Sequence, residues 1–486
     1  MKIVLSNPPW YKGNSFGVRA GSRWPHFTEV PYLPFPFFLA YSAALLEKKE
    51  KDLLVIDSPA EKLKNEEFIE KIKSFCPDLL LMEVSTPSII DDLYLSKEIK
   101  KILTDTKIAF CGPHILMQQE EFLEENSSVD YILYGEYEYT LLELAEHMEH
   151  DKSLENISGL IYRKNKEVIK NSPRPLIENL DDLPWPARHL FPLMKYCDEA
   201  YGIPGPSLQM WASRGCPYGC IFCFWPQVMY GGNKYRTRNP ADIIKEVKFY
   251  IDKYPFKSYF FDDDTFNIGK NRMKEICKEI RKNEIDLPWA IMARADTMDL
   301  HTLEEMKKAG LSGIKYGVES GVQEIVNKAC KSLDLNKVKE AVKHTKELGI
   351  HLHLTFTFGL PGETKDTIKK TINFALSLDP DTLQFSIMTP FPGSKYFDLL
   401  DSKGCILTKD WAKYNGTCSA VMKTENLTPE DLEESLRDAY DLWRAHLVKR
   451  NFKEKKIYYI KKGLMNPGKS LKILKDLVFS KFKKDK

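Results

Sequence analysis

Cys216-Pro-Tyr-Gly-Cys220-Ile-Phe-Cys223 is the stretch on which the reading of this chain turns. Its three cysteines have C-x3-C-x2-C spacing. No fourth Cys or His follows nearby, so a closed tetrahedral zinc site is hard to complete. Thiolates suit iron–sulfur clusters, and three of them leave one position open for a substrate or cofactor. The other cysteines, Cys76, Cys111, Cys197, Cys277, Cys330, Cys405 and Cys418, are scattered. They read as small buried hydrophobes.

Working outward, an apolar strand pattern, Ser207–Ala212, directly precedes the cysteines. Five more follow at Ser258–Phe261, Trp289–Ala293, Gly313–Gly317, His351–Phe358 and Thr382–Met388, with helical periodicity between them. Six βα units over 198–410 predict an α/β barrel or partial barrel, whose chemistry collects at the C-terminal ends of its strands. The cysteines sit just after the first strand, where such a fold places a reactive centre.

Residues 1–150 alternate in the same way. Strand patterns at Lys2–Ser6, Leu53–Asp57, Asp78–Val84, Lys107–Cys111 and Tyr131–Tyr134 predict a doubly wound parallel sheet. Such sheets bind ligands beyond the carboxyl ends of their strands. Those ends read Asn7-Pro8-Pro9, Ser85-Thr86-Pro87, Gly112-Pro113-His114 and Gly135-Glu136. Small, turn-forming residues there let a flat ligand approach backbone. No G-x-G-x-x-G follows the first strand, which disfavours a dinucleotide. Residues 151–197 carry a short hairpin and a proline-punctuated connector, Asn179–Arg188, and mark a domain boundary.

The cysteine motif, its aromatic Phe222 and the loop after a first barrel strand resemble the radical-SAM superfamily. The likeness continues along the strand ends: Phe261-Asp-Asp-Asp-Thr-Phe266, Arg294, Gly317-Val-Glu-Ser-Gly321, Phe358-Gly-Leu-Pro-Gly-Glu363 and Thr389-Pro-Phe-Pro-Gly-Ser394. The resemblance implies a [4Fe–4S] cluster on Cys216, Cys220 and Cys223. It also implies S-adenosylmethionine (SAM) held by Phe222, Asp263, Asp264, Arg294, Glu319 and Ser320. One electron from the cluster then breaks a sulfonium bond and yields a 5′-deoxyadenosyl radical, the electron coming from a donor such as flavodoxin or ferredoxin.

The part before the barrel resembles the cobalamin-binding domain of one radical-SAM group, which includes class B methyltransferases and Mg-protoporphyrin ester cyclases. The pieces are Asn7-Pro-Pro-Trp10, Arg19–His26, Tyr32–Pro36, Cys111-Gly-Pro-His114, Tyr134-Gly-Glu136 and Leu180–Pro186. This implies cobalamin against Asn7, Ser85, Thr86, Gly112, His114, Gly135 and Glu136. The Asp-x-His-x-x-Gly motif is absent, which implies cobalt without a histidine ligand. The expected reaction is methylation of an unactivated carbon, with oxidative cyclisation or C–C coupling as the alternative. RNA methylthiolation would call for another cysteine triad, and the first domain has only Cys76 and Cys111. A cobalamin or cluster sensor without catalysis is the non-enzymatic alternative, and an intact SAM pocket speaks against it.

Bulk composition agrees with a globular protein. The 486 residues are 43% hydrophobic, and 71 basic against 69 acidic residues leave a net charge of +2. That balance gives no reason to expect a nucleic-acid partner. The start of the chain reads as a strand rather than a signal peptide, so the cytoplasm is expected. Residues 411–486 read as helical and basic. Leu471–Phe482 has the pattern of a basic amphipathic helix, which suits contact with an anionic membrane or a lipid-like substrate, or else a solvated helix docked on the barrel.

Overall fold

The computed structural model describes residues 1–19, 25–27, 32–116, 119–165, 167–198, 201–415 and 419–465. Residues 1–433 form one compact unit, and the chain from Glu434 onward is a second.

The first sheet comprises β1 (Lys2–Asn7), β2 (Asp52–Asp57), β3 (Leu79–Glu83), β4 (Lys107–Cys111), β5 (Tyr131–Leu133), β6 (Leu160–Lys164) and β7 (Glu167–Lys170), in the order β7-β6-β5-β4-β3-β1-β2. β1 to β5 are parallel, and β6 joins β5 antiparallel. The order reverses between β1 and β3, which opens a crevice at their carboxyl ends. Strand centres such as Val4, Leu80, Ile108 and Ile132 are fully buried against Phe68, Ile72, Leu95 and Ile99 of the covering helices. Each such side chain contributes roughly 1.5–3 kcal/mol.

Two features were not legible beforehand. The hairpin expected within residues 151–197 is present as β6 and β7, and what the sequence left unread is that it forms the antiparallel edge of the first sheet, because β6 carries three buried residues, Leu160, Ile161 and Tyr162, that extend its core. Helix Phe37–Glu47 gave no amphipathic period because ten of its eleven residues are buried. Phe38 faces Tyr137 of the first domain on one side and Trp211 and Trp225 of the barrel on the other.

The second sheet comprises β8 (Ser207–Met210), β9 (Ser258–Phe261), β10 (Trp289–Ala293), β11 (Leu311–Glu319), β12 (His351–Phe358) and β13 (Thr382–Ile387), parallel and in sequence order. Helices Pro240–Lys253, Lys270–Lys282, Leu300–Lys308, Leu335–Glu347 and Lys365–Leu378 alternate with its strands. This is the expected partial barrel. After it, Trp411 returns to pack on the core of the first sheet, with its ring edge-on to His114 at 5.4 Å.

Of the scattered cysteines, Cys111, Cys277 and Cys405 are buried as expected, but Cys76 and Cys330 are exposed. Both have positive φ at helix ends, where the chain turns outward. Cys418 and the basic helix expected over Leu471–Phe482 lie outside the described residues.

Candidate active site

A short two-stranded ribbon, Ser213–Gly215 with Tyr235–Thr237, leads into the cysteine loop. Gly215 has φ +85°, and a Cβ there would lie 1.9 Å from the Lys234 carbonyl oxygen, so only glycine fits. Its N–H donates to Asp264 at 2.9 Å. Asp263 accepts from the Ala212 N–H (2.8 Å) and the Ser213 hydroxyl (2.6 Å), and burial pushes its carboxyl up to about 6. Both aspartates expected to hold SAM thus anchor the start of the cysteine loop.

Cys216, Cys220 and Cys223 line one cavity of about 290 Å³, together with Tyr218, Gln227 and Asn233. None of the three is in a disulfide. Gln227 donates to the carbonyls of Cys220, Ile221 and Cys223 at 3.2, 3.2 and 2.8 Å, which ties the loop into one conformation. Burial pushes the Cys220 thiol up, against the pull of Lys331 and Arg294. Cys223 lies well above the usual thiol range, through burial and then the charges of Cys220 and Cys216. Among the described residues no three Cys, His, Asp or Glu converge tightly enough to hold a metal ion. Three thiols spread around a wide cavity fit a polynuclear iron–sulfur cluster better than one tetrahedral ion at about 2.3 Å.

Glu319, at positive φ (71°) on the end of β11, accepts from Lys331 at 3.1 Å and from the Thr357 hydroxyl at 2.9 Å. Burial alone would lower Lys331, but Glu319 reverses this and holds its ammonium above the usual range. The Lys331 ammonium also lies 5.9 Å from the Phe222 ring centroid. Arg294 stacks on Tyr218 at 3.5 Å and binds Asp296 and the carbonyls of Lys331 and Ser332. Ser320 bonds Thr371 and caps the Val322 N–H. Lys331, Arg294 and Glu319 thus lie near enough to Cys220 for their charges to act on its thiol, Phe222 is reached through Lys331, and Ser320 is engaged with Thr371 and Val322. Lys331 and Gln227 carry no motif and were not foreseen.

The strand ends of the first sheet fit a large flat ligand. Asn7, Ser85, Thr86 and His114 are buried there. Gly112 has φ +109°, and a Cβ would meet the Val84 oxygen at 2.4 Å; Gly135 faces open space. The Asn7 Oδ1 and His114 Nδ1 atoms are buried without a hydrogen-bond partner, which leaves polar atoms for a ligand to satisfy. Burial lowers His114 to about 4, so its ring is neutral.

Glu136 is engaged by protein groups. Arg214 (3.0 Å), Arg236 (2.6 Å) and the Ile177 N–H (2.9 Å) take both its oxygens. Burial would raise its pKa, but the two arginines hold it below the usual carboxylate range. Arg214 also meets Glu138 at 2.7 Å and is packed by Phe38, Tyr41 and Trp211. Arg214 precedes the cysteines by two residues, so this ion cluster fastens the cysteine loop to the loop after β5.

Comparisons with known proteins accord with this geometry. A family model described as the radical SAM superfamily matches residues 212–375, and one described as a B12 binding domain matches residues 25–145. The chain is 33% identical over 440 residues to an uncharacterized methyltransferase of Pyrococcus horikoshii, covering 90% of this chain and 92% of that one. It is 26% identical over 452 residues to the anaerobic magnesium-protoporphyrin IX monomethyl ester cyclase of Cereibacter sphaeroides, covering 90% and 70%. The fold resembles the radical S-adenosylmethionine methyltransferase TsrM from Kitasatospora setae with cobalamin and a [4Fe-4S] cluster bound. There the TM-score is 0.65 at 18% identity, over 83% of this chain and 75% of that one.

Proposed function

Because this chain belongs to the radical SAM superfamily, in the group that carries a B12-binding domain, we propose that it transfers a methyl group to an unactivated carbon of a small molecule. It is an enzyme that uses a [4Fe–4S] cluster, SAM and cobalamin. When bound, these groups supply reductive SAM cleavage, hydrogen abstraction and a transferable methyl group. The protein's own part is to bind, orient and exclude water. In this reading Cys216, Cys220 and Cys223 hold the cluster, with Gln227, Asp263 and Asp264 fixing their loop. Phe222 and Glu319 contact SAM, with Lys331, Arg294, Tyr218 and Ser320 setting their positions. Asn7, Ser85, Thr86, Gly112, His114 and Gly135 cradle the corrinoid.

The observation that carries the reading is the cavity lined by Cys216, Cys220 and Cys223, in the same compact unit as the small-residue crevice. The test is anaerobic incubation of the reconstituted protein with trideuteromethyl-SAM and reductant. Formation of 5′-deoxyadenosine together with a labelled methyl product is the expected result. No 5′-deoxyadenosine would sink the radical reading. 5′-Deoxyadenosine with an unmethylated, oxidised product would favour cyclisation, which the likeness to the Cereibacter sphaeroides cyclase supports.

Flavodoxin or ferredoxin is the proposed electron donor. Among the described residues no helix is long and apolar enough to cross a membrane. We place the chain in the cytoplasm, with its basic end as a peripheral membrane contact, and co-sedimentation with anionic vesicles tests that contact.

A further inference from the structure

The segment after the barrel carries a tryptophan with no part in the site described so far. Its turn is braced from within. The Tyr414 hydroxyl donates to the Thr408 carbonyl at 2.8 Å, the Tyr414 N–H to the Trp411 carbonyl at 2.9 Å, and the Lys413 N–H to the Asp410 carbonyl at 3.0 Å. Tyr414 is fully buried. Its ring lies 5.0 Å from Trp411 and 6.4 Å from Phe391, and Phe391 stacks at 4.9 Å on Phe224, the residue after Cys223. Loops held on a rigid scaffold in this way are where binding residues concentrate.

Trp411 stands on the strand ends of the first sheet. Its turn packs against Thr86–Ser88, which follows β3, and against the helix Ile89–Ile102 beyond it. Its ring packs on the core of that sheet and edge-on to His114, which follows β4, at 5.4 Å. Yet the ring is only partly buried, and no described residue accepts a hydrogen bond from its indole N–H. An indole packed into protein ordinarily finds such a partner. Beside it the His114 side chain is 8% exposed, and its Nδ1 atom is buried, also without a partner. Burial keeps that ring neutral. Two neighbouring rings from distant parts of the chain thus carry polar atoms that the protein leaves unsatisfied.

We propose that Trp411 is a corrinoid-binding residue contributed from outside the B12-binding domain, and that with His114 it holds the carboxamide rim of the ring, not the nucleotide tail. The inference rests on the cofactor reading above. A corrin ring is edged with neutral carboxamides, each of which both donates and accepts. An indole N–H and a neutral imidazole suit such groups and bring no positive charge for the phosphate of the tail. The flat indole also offers apolar area to a flat macrocycle. The side chain that grips the corrinoid is packed, ring on ring, toward the cysteine loop.

The test measures, by equilibrium dialysis, binding of aquacobalamin and of cobinamide, which lacks the nucleotide tail, to the full-length protein with its cluster reconstituted. Trp411→Ala is expected to weaken both about ten-fold. Trp411→Phe keeps a ring but lacks the N–H, and is expected to weaken both several-fold. Lys413→Ala removes an exposed side chain of the same turn and is expected to bind as wild type does. Trp411→Phe is also expected to keep the wild-type iron content and melting midpoint of the corrinoid-free protein, and to change the visible circular dichroism of saturating corrinoid. Wild-type affinity in both Trp411 variants, a loss confined to aquacobalamin, or an equal loss in Lys413→Ala overturns the proposal. So does a loss in Trp411→Phe that only parallels lost iron or a lowered midpoint. Binding of neither corrinoid by the wild type would instead fail the cofactor reading.

Discussion

The two crevices of this molecule sit at the carboxyl ends of two parallel sheets and are built in opposite ways. At the end of the first sheet, buried charges are turned inward onto one another. Arg19 is paired with Asp92 at 2.9 Å, and Asp57 is held by Asn7 and Tyr196 at 2.8 and 2.6 Å. What remains for a ligand is backbone, small side chains and two orphaned polar atoms. At the end of the second sheet the charges of Lys331, Arg294 and Glu319 bear on the Cys220 thiol. The difference teaches that a neutral surface is built to select shape and preorganised charges to select ionic groups.

Predictions follow from breaking each half of that contrast. Replacing any of Cys216, Cys220 or Cys223 by Ala should abolish iron and sulfide incorporation and reduce 5′-deoxyadenosine to background, read by metal analysis and mass spectrometry. Glu136→Ala leaves Arg214 and Arg236 buried with less compensation and should cost about 3–5 kcal/mol in denaturant unfolding. An unchanged midpoint would show that the ion cluster does not fasten the two crevices together. Gly112→Ala introduces a Cβ 2.4 Å from the Val84 oxygen and should lower corrinoid retention on desalting while leaving cluster content intact. Equal loss of both would remove the distinction between a shape-built and a charge-built site.

The smaller effects sharpen the contrast. Burial raises Glu363 from its ordinary value to about 8, against hydrogen bonds from Gly359 and Leu360 that lower it. A carboxyl raised in the folded state contributes stability at low pH that is lost as pH rises toward the folded value, by up to about 1.4 kcal/mol per pH unit. Wild type should therefore lose stability between about pH 5 and 8, and Glu363→Gln should flatten that slope in unfolding measured across the range. Least of all, His114→Ala should leave the electron paramagnetic resonance spectrum of bound cob(II)alamin unchanged, because the Asp-x-His-x-x-Gly motif that would supply a histidine to cobalt is absent. New or lost nitrogen splitting would refute this.

Much of this was legible before any coordinates. β9, β10 and β12 run over the residues that period and turn signals indicated, because β9 and β10 are apolar runs next to Asp262 and Pro288, and β12 alternates polar with apolar residues between Gly349 and Gly359. Helix Phe37–Glu47 was not legible, because burial on all sides erases the period that marks a surface helix. Lys331 was not legible because its place beside Glu319 depends on the turn after helix Gln323–Lys328, where Cys330 and Ser332 take positive φ. Asp263 and Asp264 were noticed for their charge, but which partner a carboxylate takes is a long-range fact.

By itself the sequence determined the three-thiol loop, its place after the first barrel strand, and the small residues that end the strands of the first sheet. Spacing along a chain is local, and ligand number and backbone freedom follow from it directly. Only the tertiary structure decided that Glu136, through Arg214 and Arg236, fastens the cysteine loop to the loop after β5. That ion cluster joins residues up to 100 apart, and no local period records which distant charge a side chain meets.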